Sequence, residues 1–509
     1  FTYNNLWSVG AVQITDAVQT WSPVQVLYDA DRLLECAGAA NTASCTNPTA
    51  ATIILTRDPS SGLITGTSTT SNGNAVTDAR TISSFGEVTE YQAGTTVSNN
   101  LMDLQYAPTI GGTLMSRDAL GRLTAKRETF PDGTNYYTYL YDPNGRLTDV
   151  YANGATQSTH YDYGVNATRS GYTAPGGSKV VPVYDNQDRM TQYGSKVFTY
   201  GPNGERRTTT INNATTSYNY DALGNLLAVA LPNGPAITYV VDGLNRRIGK
   251  QVGGVLTTGF LYDSQSRIVA QLDGQNHLVN QFVYASDEHV PDYFINVTSG
   301  TPNVYRILKD QLGSPRVVYS VTNSSLGIVQ RMDFDEFGNV TQDTKPGFQP
   351  FGFAGGIYDA DTKLVRFGVR DYDPSVGVWL SKDPSGFAGG DPNLYAYSGN
   401  DPINRTDPSG LDDTVDFAEQ CFQEADSWPP QLKWIPLVAG GVLLAAALFK
   451  VQCTATCNVQ DIGGGNCPDR VTGWGTGPNQ NGACKAAKRD ANLWVPSGCY
   501  KRHCQCDCN

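Results

Sequence analysis

Charge is the first thing this chain lacks. Only 17% of its 509 residues are Asp, Glu, Lys or Arg, too few to coat many long surface helices. The charge that is present sums to a formal −12, which excludes a nucleic-acid-wrapping surface for the body as a whole. Cysteine is nearly missing from the body too. Of eleven cysteines only Cys36 and Cys45 precede Leu411. That body is neutral on redox compartment, whereas a cysteine-dense end points to an oxidising destination or a metal. No long apolar run occurs before Leu411. The start has no Met, no charged n-region and no apolar h-region, so Phe1 reads as the cut end of a longer protein.

What the chain does have is Gly (53) and Tyr (28), a mixture suited to short strands joined by tight turns. Residues 1 to about 100 alternate apolar and polar positions in bursts such as Ile53-Ile54-Leu55, broken by Gly, Asn and Ser clusters. Cys36 and Cys45 flank a small-residue loop that suits either a local disulfide or two thiols. From Asp118 a repeat takes over. RDALGRLTAK is followed by YDPNGRLTDV at Tyr141, YDNQDRMTQY at Tyr184, YDALGNLLAV at Tyr220, VDGLNRRIGK at Val241 and YDSQSRIVAQ at Tyr262. Asp221, Asp242 and Asp263 recur every 21 residues, the period of a stacked supersecondary unit. In each copy Asp can cap a turn, and Gly or Asn can take the positive-φ position. The alternating residues that follow form a strand with one face in and one face out. One hairpin cannot bury its own apolar face, so successive hairpins must pair edge to edge. On this reading the Asp and Arg of each repeat are turn caps and strand-edge charges.

The Tyr-Asp units resemble the YD repeats of the Rhs family, which includes bacterial Rhs effectors, toxin-complex C subunits and the teneurins. YRILKDQLGSPRVVYS from Tyr305 is similar to the family's DHLGSPR element, with Gln311 at the usual His position. FDEFGNV from Phe334 and the RDYDP, DPSG, NLYAY and DPSGL run resemble the repeat-associated core signature. The resemblance spans roughly residues 25 to 411. It implies a mainly β fold in which the hairpins form one continuous sheet spiralling into a partial hollow shell. Three regions are expected: a repeat shell over 1–304, a repeat-associated core over 305–411, and a variable cysteine-rich domain over 412–509, α+β or irregular.

The joint is the stretch from Arg366 to Leu411, with two identical Asp-Pro-Ser-Gly turns at Asp383 and Asp407. Two Asp residues converging on one peptide bond are the minimum equipment for aspartyl hydrolysis, one activating water and the other supplying a proton. Asp-Pro-x-Gly is equally a good turn, and spacing alone does not choose. The family resemblance implies self-cleavage after the second motif. Carried over residue by residue, it makes Asp383 and Asp407 the catalytic pair, Arg370 a supporting cation and Leu411–Asp412 the scissile bond. The interval between the motifs is slightly longer than usual in the family, and Val378 stands where many relatives have Arg. Asp371 and Asp373 are acidic understudies to that pair, and read better as structural acids.

Beyond the joint, Asp412 to Asp426 is acidic and helix-compatible. The uncharged run Trp434–Phe449 (residues 434–449) is shorter than the ~20 residues that cross a bilayer, and Pro436, Gly440 and Gly441 weaken it as a helix. It reads as a buried payload helix, a membrane-contacting segment or a strip held against the shell wall. Cys504, Cys506 and Cys508 alternate, so in a strand they share one face; with Cys453, Cys457 and Cys499 they suit disulfides better than zinc, whose usual spacing is missing. His503, beside Lys501 and Arg502, offers a proton carrier and phosphate-binding cations, the needs of a small nuclease. A solvated, disulfide-anchored loop has the same look. The resemblance thus implies a polymorphic toxin, secreted from or displayed on a bacterium, with its own payload, an immunity protein and secretion or toxin-complex components as partners and no cofactor. The rival is a teneurin-like surface protein with a disulfide-rich binding module.

Overall fold

The computed structural model describes most of residues 2–415, with 40–50 the longest stretch left out, and then 451–461, 470–477 and 499–508. Among the described residues there is no α-helix, only short 3-10 turns between strands. The chain divides into two compact units, one essentially Phe1 to Gln420 and the other mostly Cys421–Asn509.

The repeat unit explains why strands form here. In each turn the Asp Oδ1 accepts the amides of the second and fourth residues after it. Asp142 takes Asn144 at 2.9 Å and Arg146 at 3.0 Å, and Asp242 takes Leu244 and Arg246, both at 2.9 Å. The Oδ2 takes the Arg Nε four residues on, as in Asp142–Arg146 (2.7 Å) and Asp263–Arg267 (2.7 Å). Burial opposes ionisation of Asp118, Asp185 and Asp242, but the Arg and amide donors outweigh it and hold these carboxyls below their usual range. The residue before the Arg has positive φ: Gly145 at 89°, Asn245 at 63°. Each turn then enters its second strand with a one-residue register shift, for example at Leu140/Tyr141 and Val240/Val241, the bulge that follows such loops.

Tyrosine links one repeat to the next. The Tyr hydroxyl donates to a backbone carbonyl of the preceding unit: Tyr141 to Leu123 (2.8 Å), Tyr163 to Leu147 (2.7 Å), Tyr262 to Arg247 (2.7 Å) and Tyr284 to Ile268 (2.9 Å). The turn Arg lies over the same ring, 4.4 Å for Arg122 on Tyr141 and 4.9 Å for Arg246 on Tyr262. Tyr, Asp and Arg therefore form one structural chain from turn to turn.

The strands pair in sequence order into two long antiparallel ladders, not the single continuous sheet expected. One has fourteen strands, from Thr2–Tyr3 to Arg169–Thr173, and the other sixteen, from Val183–Tyr184 to Val340–Asp343. Among the described residues, the one backbone bridge at the break joins Tyr172 and Val180. Pro175 and Pro182 bracket this break. Proline lacks the amide that a ladder requires, and Gly176 turns the chain at positive φ.

The ladders share one hydrophobic cluster, with Ile53, Met102 and Leu104 from the first and Tyr293, Leu308 and Val317 from the second. Buried charge also ties them. Arg306, 1% exposed, donates to Asp78 of the first ladder (2.7 Å) and to Asp292 of its own (3.2 Å). Arg316 makes a two-pronged pair with Glu128 at 2.6 and 2.9 Å. After the second ladder comes a four-stranded sheet, Ile357–Tyr358 to Val378–Trp379, whose aromatic core joins Phe353, Phe367, Tyr372, Trp379 and Tyr397.

The described tail residues are all strand. Val451–Asp461 lies between Arg470–Gly477 and Cys499–Cys508 in a three-stranded antiparallel sheet. Residues 434–449 lie outside the described residues.

Candidate functional site

The strand Arg370–Asp373 is an inner strand of the small sheet, and all four of its residues are buried. Asp373 pairs with Arg206 (2.6 Å), and Asp371 with Arg247 (2.8 Å) and Arg366 (2.9 Å). Both acids thus anchor this segment to the second ladder, the structural role expected of them. Arg370 points the other way. Its guanidinium lies 4.1 Å from the Trp379 ring centroid. One nitrogen, Nη2, reaches Asp383 Oδ2 at 2.8 Å and Asp407 Oδ2 at 2.9 Å. Nε donates to the Gly410 carbonyl at 2.5 Å. The two Asp-Pro-Ser-Gly turns therefore meet at one cation, although residues 387–406 separate them.

Backbone fit holds the second turn in place. Gly410 has φ of 69°, and a Cβ there would stand 2.6 Å from the Phe367 carbonyl and 3.0 Å from the Arg370 amide. Only glycine suits such a close, left-handed position. Leu411 sits in the loop between Arg405–Thr406 and Thr414–Val415, which pair antiparallel. Its amide donates to Asp407 Oδ1 at 3.0 Å, and its carbonyl oxygen lies 3.2 Å from the Ser385 hydroxyl oxygen. Asp412 lies outside the described residues.

The carboxylates differ in surroundings. Asp407 is fully buried, with Ser409 Oγ 3.1 Å from its Oδ1. Asp383 is 8% exposed and accepts the Ser385 amide (2.7 Å) and hydroxyl (2.5 Å) on Oδ1. Beside it lies a cavity of about 10 Å³ lined by Arg370, Asp383, Asp391, Asn393 and Leu394, close to the smallest space that holds one water. Burial pushes the Asp391 carboxyl up, and its Oδ2 is buried without a hydrogen-bond partner. Asp391 and Ser385 had no sequence signal. A lone acid in a Gly-Gly-Asp-Pro turn and the third residue of an Asp-Pro-Ser-Gly turn both read as ordinary turn residues.

The tail candidates are placed by strand register. Cys453 stands opposite Cys508 and Cys457 opposite Cys504, with Ala455 opposite Cys506 and Asp461 opposite Cys499. Lys501 and Arg502 face Val459 and Asn458, and His503 is skipped by the register shift after Cys457. In the body, Cys36 is disulfide-bonded; Cys45 lies outside the described residues.

Tyr-Asp turns stacked in sequence order, closed by a segment rich in Asp-Pro turns, define a YD-repeat shell protein. Residues 74–403 match the family described as Teneurin YD-shell, and the chain belongs to that family. It is 29% identical to teneurin-3 of Danio rerio over 303 residues, 57% of this chain and 11% of that protein. It is 28% identical over 295 residues to the tRNA3(Ser)-specific nuclease WapA of Bacillus spizizenii, 56% of this chain and 11% of that one. The chain thus spans about a tenth of the length of these relatives. A chain in the structure of the Photorhabdus luminescens Tc holotoxin pore shares the fold, with a TM-score of 0.53 at 16% identity over 77% of this chain and 21% of that chain.

Proposed function

We propose that this chain is a toxin shell that encloses its own C-terminal payload and frees it by aspartyl autoproteolysis after Leu411. The observation that carries the reading is the meeting of Asp383 and Asp407 at Arg370 with the Leu411 amide and carbonyl in hydrogen-bond reach of the same turns. Water attacks the Leu411 carbonyl carbon while the Asp407 carboxylate takes its proton. Asp383 supplies the proton for the carbonyl oxygen. Collapse breaks the C–N bond as Asp407 passes its proton to the departing nitrogen and the diol returns the other proton to Asp383. Kinship with WapA and the fold shared with a Tc holotoxin chain support the toxin reading, a hollow shell, and secretion or display on a bacterium. An immunity protein and toxin-complex components are the partners this implies. Lys501, Arg502 and His503 are the residues a nuclease payload would use.

The test is expression of the full chain in bacteria. Wild type yields a fragment whose N-terminus is Asp412, and Asp383→Asn or Asp407→Asn yields one uncut polypeptide. Cells making the cleaving protein stop growing, and those making Asp383→Asn grow on. An uncut wild type sinks the cleavage reading. The teneurin kinship favours a second reading, a surface interaction protein whose tail is a binding module. It predicts cut or uncut protein that is harmless to the cell making it.

A further inference from the structure

Resting on that cleavage reading, we propose that Ser385 is a further catalytic residue, the hydroxyl that carries the Asp383 proton to the Leu411 carbonyl oxygen. Among the described residues it is the one hydroxyl in contact with both groups, 2.5 Å from Asp383 Oδ1 and 3.2 Å from Leu411 O. Its counterpart Ser409 differs. The Ser409 oxygen accepts the Leu411 amide at 3.1 Å and its hydroxyl lies 3.1 Å from Asp407, so it fixes the loop and leaves the carbonyl alone.

A serine hydroxyl has one proton and two lone pairs. While Asp383 is ionised, the 2.5 Å contact claims that proton, and Ser385 turns a lone pair toward Leu411 O. Once Asp383 is protonated it donates to Ser385, and Ser385 donates to the carbonyl. As water adds to the carbonyl carbon, the Ser385 proton passes to the carbonyl oxygen and the Asp383 proton replaces it on Ser385. When the C–N bond breaks, both return, so the sum is hydrolysis with water as the only reactant consumed. Cleavage is therefore gated by one protonation. The groups gathered around Asp383 are Arg370, Asp391 and Asp407. Ser385 is itself exposed, which lets water in and lets solvent compete for the carbonyl. Its effect belongs at or below the low end of the ~100- to 1,000-fold typical of a preorganised oxyanion donor.

Full-length protein made by cell-free translation is pulse-labelled, and release of the fragment beginning at Asp412 is timed from pH 5 to pH 8. Ser385→Ala slows release about 10- to 100-fold, and Ser385→Thr, which restores the hydroxyl, cuts near the wild-type rate. Ser385→Ala cutting at the wild-type rate while Asp383→Asn stays whole overturns the relay and leaves the aspartate pair standing. Ser385→Thr as slow as Ser385→Ala, with both melting like wild type, also overturns it. A wild type that never cuts fails the parent reading itself.

Discussion

Arg306 offers a direct measure of what joins the two ladders. Its Nη2 donates to Asp78 (2.7 Å) and to Thr67 Oγ1 (3.0 Å), and its Nη1 donates to the Ile307 carbonyl (3.0 Å) and Asp292 Oδ1 (3.2 Å). Arg306→Met keeps the length of the stem and removes the cation. Breaking a buried pair by deleting one partner costs about 3–5 kcal/mol. The lower figure applies here because both acids keep donors: Asp78 has the Thr67 amide and hydroxyl, and Asp292 has two amides and Lys309. The expected loss is thus about 3 kcal/mol at pH 7, read as a lowered urea midpoint. The pH dependence has a definite sign. Burial alone would raise the Asp292 carboxyl, but Lys309 and Arg306 outweigh it and hold it at about 2. A depressed carboxyl stabilises the fold above its unfolded value of about 3.9 and loses that contribution as pH falls toward 2. For Asp292 this is on the order of 2–3 kcal/mol in wild type. Arg306→Met loses less over the same window, so the gap between the two proteins narrows on acidification. A gap under about 1 kcal/mol at pH 7, or one that widens toward pH 3, refutes the idea that this ion cluster ties the ladders.

Tyr262→Phe deletes one hydroxyl link between repeats, the 2.7 Å bond to the Arg247 carbonyl, and should cost about 1 kcal/mol in urea unfolding. Gly410→Ala forces a Cβ to within 2.6 Å of the Phe367 carbonyl at a left-handed position; fragment release should fall at least 10-fold, about 1.4 kcal/mol in barrier, and normal release would show that the turn does not position Leu411. Residues directly opposite in antiparallel strands lie about 4.5–5.5 Å apart at their α-carbons, inside the range a disulfide spans. Peptide mapping without reductant is therefore expected to recover Cys453 linked to Cys508 and Cys457 linked to Cys504 from protein folded under oxidising conditions. Free thiols at all four positions would count against a disulfide-knotted tail.

How far each feature could be read from the sequence follows the distance over which its contacts act. Asp142 capping Asn144 and Arg146 is a contact over two and four residues, so the repeat itself displays the turn. The Tyr141–Leu123 bond and the Arg122–Tyr141 stack need the register of neighbouring strands, and the motif names their residues without naming their job. The ladder break at Pro175–Pro182 was visible as composition but hidden by the assumption that a repeat implies unbroken pairing. At the joint, Asp383 and Asp407 were legible through the family resemblance, and Arg370 with them. Ser385 and Asp391 were not, because their contacts exist only once the two turns have closed on the same strand. Closure is likewise what brings Arg306 to Asp78, 228 positions away. A substitution at a turn Asp therefore probes the repeat alone. Long-range charges such as Arg306 and Arg370 instead probe how segments far apart in sequence are held together.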